Sequence, residues 1–333
     1  FVDDFEMLFS EYNDSKYCIA TSSCTSAIEI ALSALNISRN DEVIVPAQTF
    51  IATGSAVTRL GGRPIFCEVN SNFLLDFDDM KNKINSSTKA VILVHYSGLI
   101  HENIFKIKEY LDERRISLIE DAAHAPGASI SGIKAGNIGD VGCFSFYSTK
   151  NITSGEGGII TTNDIDLAEK MRSIRSRGID LNSSSEQFSN IGSNHRMTEF
   201  QALLGIHQLK RLDQFNEHRR KVAEKYIEIL TPLKDKRIID LPEIDNQISH
   251  SYWRFWVKLI SPENRELIKN KMQDASIQVD WAYSPLLHLQ PVFKKLYGNK
   301  KGMLPYTEKL AKSHICLPIH FNISIEDAEY IAN

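Results

Sequence analysis

A single lysine, Lys150, stands in FSFYSTKNITSGEGG (Phe144–Gly158), between an aromatic run and a tail of small residues and glycines. Burying a lysine costs free energy unless it is paired or put to use. In a desolvated pocket it sheds its proton and becomes an amine nucleophile. The plainer alternative is a lysine that snorkels out of a loop. Upstream, LIEDAAHAPGA (118–128) sets Asp121 at the carboxyl end of an apolar run, with His124 three residues on. Open α/β sheets bind ligands at strand carboxyl ends, although such a carboxylate can also just cap the next turn. A third stretch, SSCTSAIEIALSAL (22–35), places small hydroxyl residues before an apolar helix. A helix start offers free N–H groups and a positive dipole end to a phosphate. Alone, this stretch reads first as a plain Ser/Thr N-cap.

The three features together fit one cofactor, pyridoxal phosphate. Its phosphate needs N–H and hydroxyl donors, its ring nitrogen a carboxylate that keeps it protonated, and its aldehyde a lysine amine. GEGG (155–158) does not follow GxGxxG and no Walker A pattern occurs, so neither a dinucleotide nor a nucleotide P-loop is indicated.

Alternating elements must carry these residues. DEVIVPAQTF (41–50) reads as a strand running into a loop, and RPIFCEV (63–69), KAVILVHYSG (89–98) and ISLIED (116–121) read as buried strands. CFSFYS (143–148) and GGIITTN (157–163) add two short ones. Helical patterns such as DFDDMKNKI (76–84) and ENIFKIKEYLDERR (102–115) lie between them. The alternation predicts an α/β domain with a mainly parallel sheet over residues 1–230. It includes a long linking helix over 198–230, and a smaller α+β domain follows over 235–333.

Composition sets outer limits. The 333 residues are 42% hydrophobic and 24% charged, as in an ordinary globular protein. A net charge of −4 gives no basic footprint for nucleic acid. No apolar run reaches the ~18 residues of a membrane span. The opening FVDDFEMLFSEY lacks a secretory pattern. Cys18, Cys24, Cys67, Cys143 and Cys316 form no CxxC pair, so zinc is not expected and reduced thiols in the cytoplasm are.

EDAAHAPGA, FSFYSTKNITSGEGGIITTN, PAQTFIATGSAV and GSNHRMTEFQALLGIHQL resemble the DegT/DnrJ/StrS family of sugar aminotransferases. The likeness runs from FEMLFSEYNDSKYCIATSS to LPIH near 317–320. It implies the aspartate aminotransferase-like, type I fold and a homodimer with shared active sites. It also implies amino transfer, usually from glutamate, to a nucleotide-linked keto sugar in amino-sugar and cell-surface polysaccharide synthesis.

By the same resemblance, Lys150 carries the cofactor and Asp121 partners its ring nitrogen. His124 bonds its phenolic oxygen, Ser145 its phosphate, and Phe50 stacks on its ring. Asn194 reaches the neighbouring subunit's phosphate. Tyr283 and His288, in AYSPLLHLQP (282–291), fall near the sugar site. The family's S-G-T phosphate turn reads Ser23, Cys24, Thr25 here, so φ > 0 is no longer easily reached and the amides of Thr25 and Ser26 are left to hold phosphate. The resemblance also implies further residues ahead of Phe1. A sister group of sugar dehydratases carries histidine in place of the lysine, so Lys150 speaks for amino transfer. A regulatory protein that keeps the fold without turnover is the other alternative. Glu156 is left without a role.

Overall fold

A computed structural model describes residues 1–333. Its strands are β1 (Tyr17–Thr21), β2 (Glu42–Pro46), β3 (Arg63–Cys67), β4 (Thr88–Val94), β5 (Ser117–Asp121), β6 (Ser129–Ile130) and β7 (Ile133–Lys134). β8 (Val141–Ser145), β9 (Gly158–Thr162), β10 (Ile239–Asp240), β11 (Ile248–Ser249), β12 (Phe255–Leu259) and β13 (His314–Leu317) follow. The helices are α1 (Val2–Asn13), α2 (Cys24–Ala34), α3 (Ile51–Arg59), α4 (Phe77–Lys83), α5 (Ile104–Asp112) and α6 (Ile165–Arg175). α7 (Glu199–Leu209), α8 (Leu212–Asp235), α9 (Arg265–Asp274), α10 (Pro291–Tyr297), α11 (Pro305–Leu310) and α12 (Ile325–Ala332) complete them.

Seven strands form the central sheet, in the order β1-β9-β8-β5-β4-β2-β3. β2, β3, β4, β5 and β8 pair in parallel, and β9 runs antiparallel to both β8 and β1. Strand side chains alternate between faces. Val91, Leu93, Leu118 and Phe144 join one core with α1, α4, α5 and α7. Ala90, Ile92, Ile119 and Cys143 join a second core with α2, α3 and α6. Helices therefore cover both faces, as a mainly parallel sheet requires.

α8 leaves this body. Its Val222, Tyr226 and Leu230 pack with Phe255 and Val257 of β12, Ile315 and Leu317 of β13, and Ala328 of α12. There β10, β12 and β13 make a small antiparallel sheet.

Three expectations change. β1 lies outside the strands read from the sequence; it closes one sheet edge by pairing with β9. The helical stretch over 198–230 is two helices, broken at Lys210–Arg211 with no Gly or Pro to signal it. α7 starts on a capping box, Thr198 with Gln201, and α8 runs on to Asp235. The segment 235–333 also fails to close on itself. Leu287, Phe293 and Leu304 belong to the second core of the large sheet. The Leu287 N–H donates to the Ala47 carbonyl at 3.0 Å, and the Gln48 side-chain amide to the Ala282 carbonyl at 2.8 Å. Apolar area, not chain order, decides which core these residues enter.

No helix is long and apolar enough to cross a membrane. No group of three or more His, Cys, Asp and Glu could hold a metal ion, and all five cysteines are free.

Gly158 fixes how α2 meets the sheet. A Cβ there would lie 2.5 Å from the Ser23 carbonyl carbon and 2.6 Å from the Cys24 nitrogen, both backbone atoms that cannot swing away. Gly158→Ala should cost about 1–3 kcal/mol of stability through this overpacking. A urea melt at constant m-value checks it, and an unchanged midpoint would show that α2 is not held this tightly.

Candidate active site

The carboxyl ends of β4, β5 and β8 bring Val94, Asp121 and Ser145 to one edge of the sheet, where they line a cavity of about 500 Å3. Such an edge is where the fold class binds its ligands. Lys150 enters from the loop after β8. Asn151 pins that loop, donating to Asn216 Oδ1 of α8 at 2.8 Å and to the Ser251 carbonyl at 2.7 Å. The Trp253 indole N–H donates to the Thr149 carbonyl at 2.8 Å. Lys150 Nζ lies 4.0 Å from the centre of the Trp253 ring. Burial pushes the Lys150 ammonium down to about 8, against the pull of Cys24 and Asp121 and with help from Arg254.

Asp121 is held from two sides. Oδ2 accepts the Thr53 hydroxyl at 3.0 Å and Oδ1 the Ala123 N–H at 3.2 Å. Burial raises its pKa, and those two bonds, Lys150 and His95 pull against the rise. Its neighbour Glu120 points to the opposite face. That carboxylate bonds His95 Nε2 at 2.7 Å and accepts the N–H groups of Gly136, Ile138 and Gly139 at 2.8, 2.7 and 2.6 Å. Burial opposes its ionisation, yet His95 and these amides hold its pKa below the ordinary carboxylate value.

At the start of α2, Ser23, Cys24 and Thr25 line the cavity. Ser23 is the N-cap and Cys24 the first helical residue, so no positive φ is needed where the family has glycine. The amides of Cys24 and Thr25 fall in the first turn, where a helix supplies no acceptor. The Ser26 amide instead donates to Ser23 Oγ at 3.1 Å, and Ser26 lies outside the cavity lining. Of the two expected phosphate amides, Thr25 keeps the right position and Ser26 is committed to the cap.

A group of aromatic rings closes the cavity. His124 stacks on Trp253 with ring centres 3.8 Å apart. Its Nδ1 accepts the Ser97 N–H at 3.3 Å, and its Nε2 pairs with the Tyr283 hydroxyl at 3.0 Å. With both nitrogens engaged, none is left for the phenolic oxygen expected of it. The ring face is what His124 offers instead. Burial, with Lys150 and Arg254, drives its pKa well below the usual histidine value, so the ring is neutral. Phe50 caps α3 and stays 57% exposed at the cavity, a face free to stack.

This cavity and this sheet have relatives. The DegT/DnrJ/EryC1/StrS aminotransferase family model matches residues 1–333. The chain belongs to that family. It is similar to GDP-perosamine synthase of Caulobacter vibrioides, at 34% identity over 99% of this chain and 88% of the relative. It is also similar to dTDP-3-amino-3,4,6-trideoxy-alpha-D-glucose transaminase of Micromonospora megalomicea, at 32% over 96% and 84%. The crystal structure of NtdA from Bacillus subtilis with bound cofactor PMP superposes at a TM-score of 0.91, with 32% identity, over 99% of this chain and 75% of that one. The aminotransferase-like fold read from the sequence is the fold found, and the chain is a pyridoxal-phosphate-dependent aminotransferase.

The aminotransferase cavity suits that cofactor on its own residues. A helix start with open amides suits an anion, a buried carboxylate without a cationic hydrogen-bond partner suits a protonated nitrogen, and a part-neutral amine suits an aldehyde. Lys150, Asp121, His124, Ser145, Phe50, Thr25 and Tyr283 all line it. His288 does not. It is buried away from the cavity, bonded through Nε2 to Glu308 at 3.0 Å and packed near Phe66, so it serves the fold there rather than a sugar. Asn194 is exposed and outside the lining, although the next residue, His195, accepts the Ser22 N–H at 2.8 Å beside α2.

Thr53, Trp253 and Arg254 are cavity residues that the sequence left unread. Thr53 had a signal: it stands four residues after Thr49, in the first turn of α3, and the two hydroxyls are 3.1 Å apart. Trp253 and Arg254 had none, because β12 begins just beyond them in another part of the fold. Glu156 also lines the cavity, at its exposed side.

Capture of the cofactor needs the neutral amine. Its rate on cofactor-free protein should rise close to tenfold per pH unit below about 8 and level off above. Absorbance at the aldehyde's visible band follows it, and a midpoint near 10.5 would mean that Lys150 is not desolvated.

Proposed function

We propose that this aminotransferase moves an amino group from glutamate to the keto group of a nucleotide-linked sugar, within amino-sugar synthesis for cell-surface polysaccharide. One observation carries the chemistry: a half-buried, part-neutral lysine shares a cavity with a buried carboxylate. Relatives whose names carry nucleotide-linked sugars support the substrate class.

Bound pyridoxal phosphate supplies an aldehyde that carries the amino group and a ring that spreads the charge left by a departing proton. Asp121 would keep that ring nitrogen protonated, and Thr53 and Ala123 hold the carboxylate in place. Lys150 Nζ would take the proton from the donor's α-carbon and later give it back, first as base and then as acid. An amine with a pKa of about 8 can do both near neutral pH. The amides at the start of α2 and Ser145 would hold the phosphate. Phe50 and His124 would flank the ring, and the Tyr283 hydroxyl holds His124 in position.

The second substrate reverses the sequence. A histidine in place of Lys150, as the dehydratases have, could not carry the cofactor covalently. Asn194 serves the partner's phosphate in a homodimer. The surface around it supports this: Phe188, Ile191 and Phe200 are 54%, 94% and 87% exposed, an apolar load that a second subunit would cover. The enzyme works in the cytoplasm, where its nucleotide-linked substrates are made.

Purified protein given the cofactor should turn yellow, and borohydride should fix the cofactor on Lys150, read by peptide mass. A panel of nucleotide-linked keto sugars with glutamate should give 2-oxoglutarate with ping-pong kinetics. Lys150→Ala should lower both half-reactions by about 10²–10⁴-fold. Cofactor uptake with no exchange between glutamate and 2-oxoglutarate would favour a regulatory protein instead.

A further inference from the structure

Two cavities meet at Arg254. The Lys150 cavity shares Thr149, Trp253 and Arg254 with a second one of about 760 Å3 that runs toward Asp280, His320 and Asp327. Lys150 and Arg254 are the only cations that line the first cavity, since His124 is neutral. Lys150 is occupied with proton transfer. A substrate anion that enters this space therefore meets Arg254.

The arginine is firmly seated at its backbone and loosely held at its tip. Its N–H donates to the Ser97 carbonyl at 3.3 Å, and its own carbonyl accepts Ser97 Oγ at 2.7 Å. The guanidinium lies 4.7 Å from the centre of the Trp253 ring, the same ring that Lys150 covers at 4.0 Å. Nη1 bonds Asp280, while Nε is buried without a partner. Asp280 is 56% exposed. Water solvates such a carboxylate well, so releasing it from the arginine costs little. A carboxylate brought into the cavity would gain a two-pronged, less screened contact in its place.

We propose that Arg254 is the receptor for the α-carboxylate of the amino donor, exchanging Asp280 for it when the donor enters. The inference rests on the aminotransferase reading above. The α-carboxylate is bonded to the carbon whose proton Lys150 takes, so its receptor must stand near Lys150, as Arg254 does at the same Trp253 ring. The diphosphate of a nucleotide-linked sugar lies at least a sugar ring farther from the reacting carbon. Arg254 thus sets donor specificity: an amino acid is admitted, and an amine without that carboxylate is not.

The cofactor-loaded enzyme is compared with R254Q and R254K, using L-glutamate and its decarboxylated counterpart, 4-aminobutanoate, in single-turnover absorbance traces. Wild type should strongly prefer glutamate. In R254Q the half-saturating glutamate concentration should rise about 10²-fold, with a much smaller change in the limiting rate. The preference over 4-aminobutanoate should collapse. R254K, a point charge without the fork, should stay within about tenfold of wild type. Calorimetry with 2-methylglutamate, which has no α-proton to lose, should show the same order of affinities without any turnover.

Unchanged glutamate saturation in R254Q would overturn the assignment. So would a loss confined to the sugar half-reaction, which would move Arg254 to the diphosphate. If R254Q fails to take up cofactor, R254K decides: a glutamate half-saturation raised severalfold with a weakened preference over 4-aminobutanoate supports the proposal, and values unchanged from wild type overturn it. Wild type that exchanges with no amino acid would overturn the aminotransferase reading and this inference with it.

Discussion

Burial of the Lys150 ammonium, with Asp121 as its opposing charge, sets the demands that the surrounding structure meets. An ammonium taken out of water destabilises its own charged form, and a nearby carboxylate limits that effect. The balance here leaves the amine near 8, neither locked as a cation nor freely neutral. The loop cannot hold such a group alone. Asn151 ties it to α8, and Trp253 ties it to the segment before β12, so the chemistry depends on elements far along the chain.

The pair Glu120 and Asp121 shows how one strand serves two tasks. Successive side chains of β5 point to opposite faces of the sheet. Glu120 turns into the first core, where three amides and His95 satisfy its charge and fix the turn at 136–139. Asp121 turns the other way, under α3, and receives only a hydroxyl and one amide. The fully bonded carboxylate is structural. The partly bonded one is left able to take a proton donor, and its pKa is raised accordingly.

The aromatic group extends the same economy of contacts. Trp253 carries His124 on its ring and both cavity cations over it. Two cations near one another repel, and Arg254 helps to lower the Lys150 pKa. A single indole ring attracts both cations. Arg254 bonds Asp280 where the two cavities join.

Much of this protein was legible in its residues. The strand-and-helix alternation announced the parallel sheet. EDAAH and FSFYSTK placed an acid and an amine at strand ends, because buried strands are short apolar runs and polar residues after them fall at the sheet edge. The Ser23 cap and the helix start were visible as well. Other features were decided by tertiary structure alone. Ser26 lost its phosphate role to a cap bond, His124 lost its free nitrogens to Ser97 and Tyr283, and His288 turned toward Glu308. Leu287, Phe293 and Leu304 returned to the large core, while Trp253 and Arg254 arrived at the cavity about a hundred residues after Lys150. Local sequence fixes which groups are available and which local bonds compete for them. Which groups meet across long stretches of chain is set by packing of apolar surface, and no local pattern encodes it.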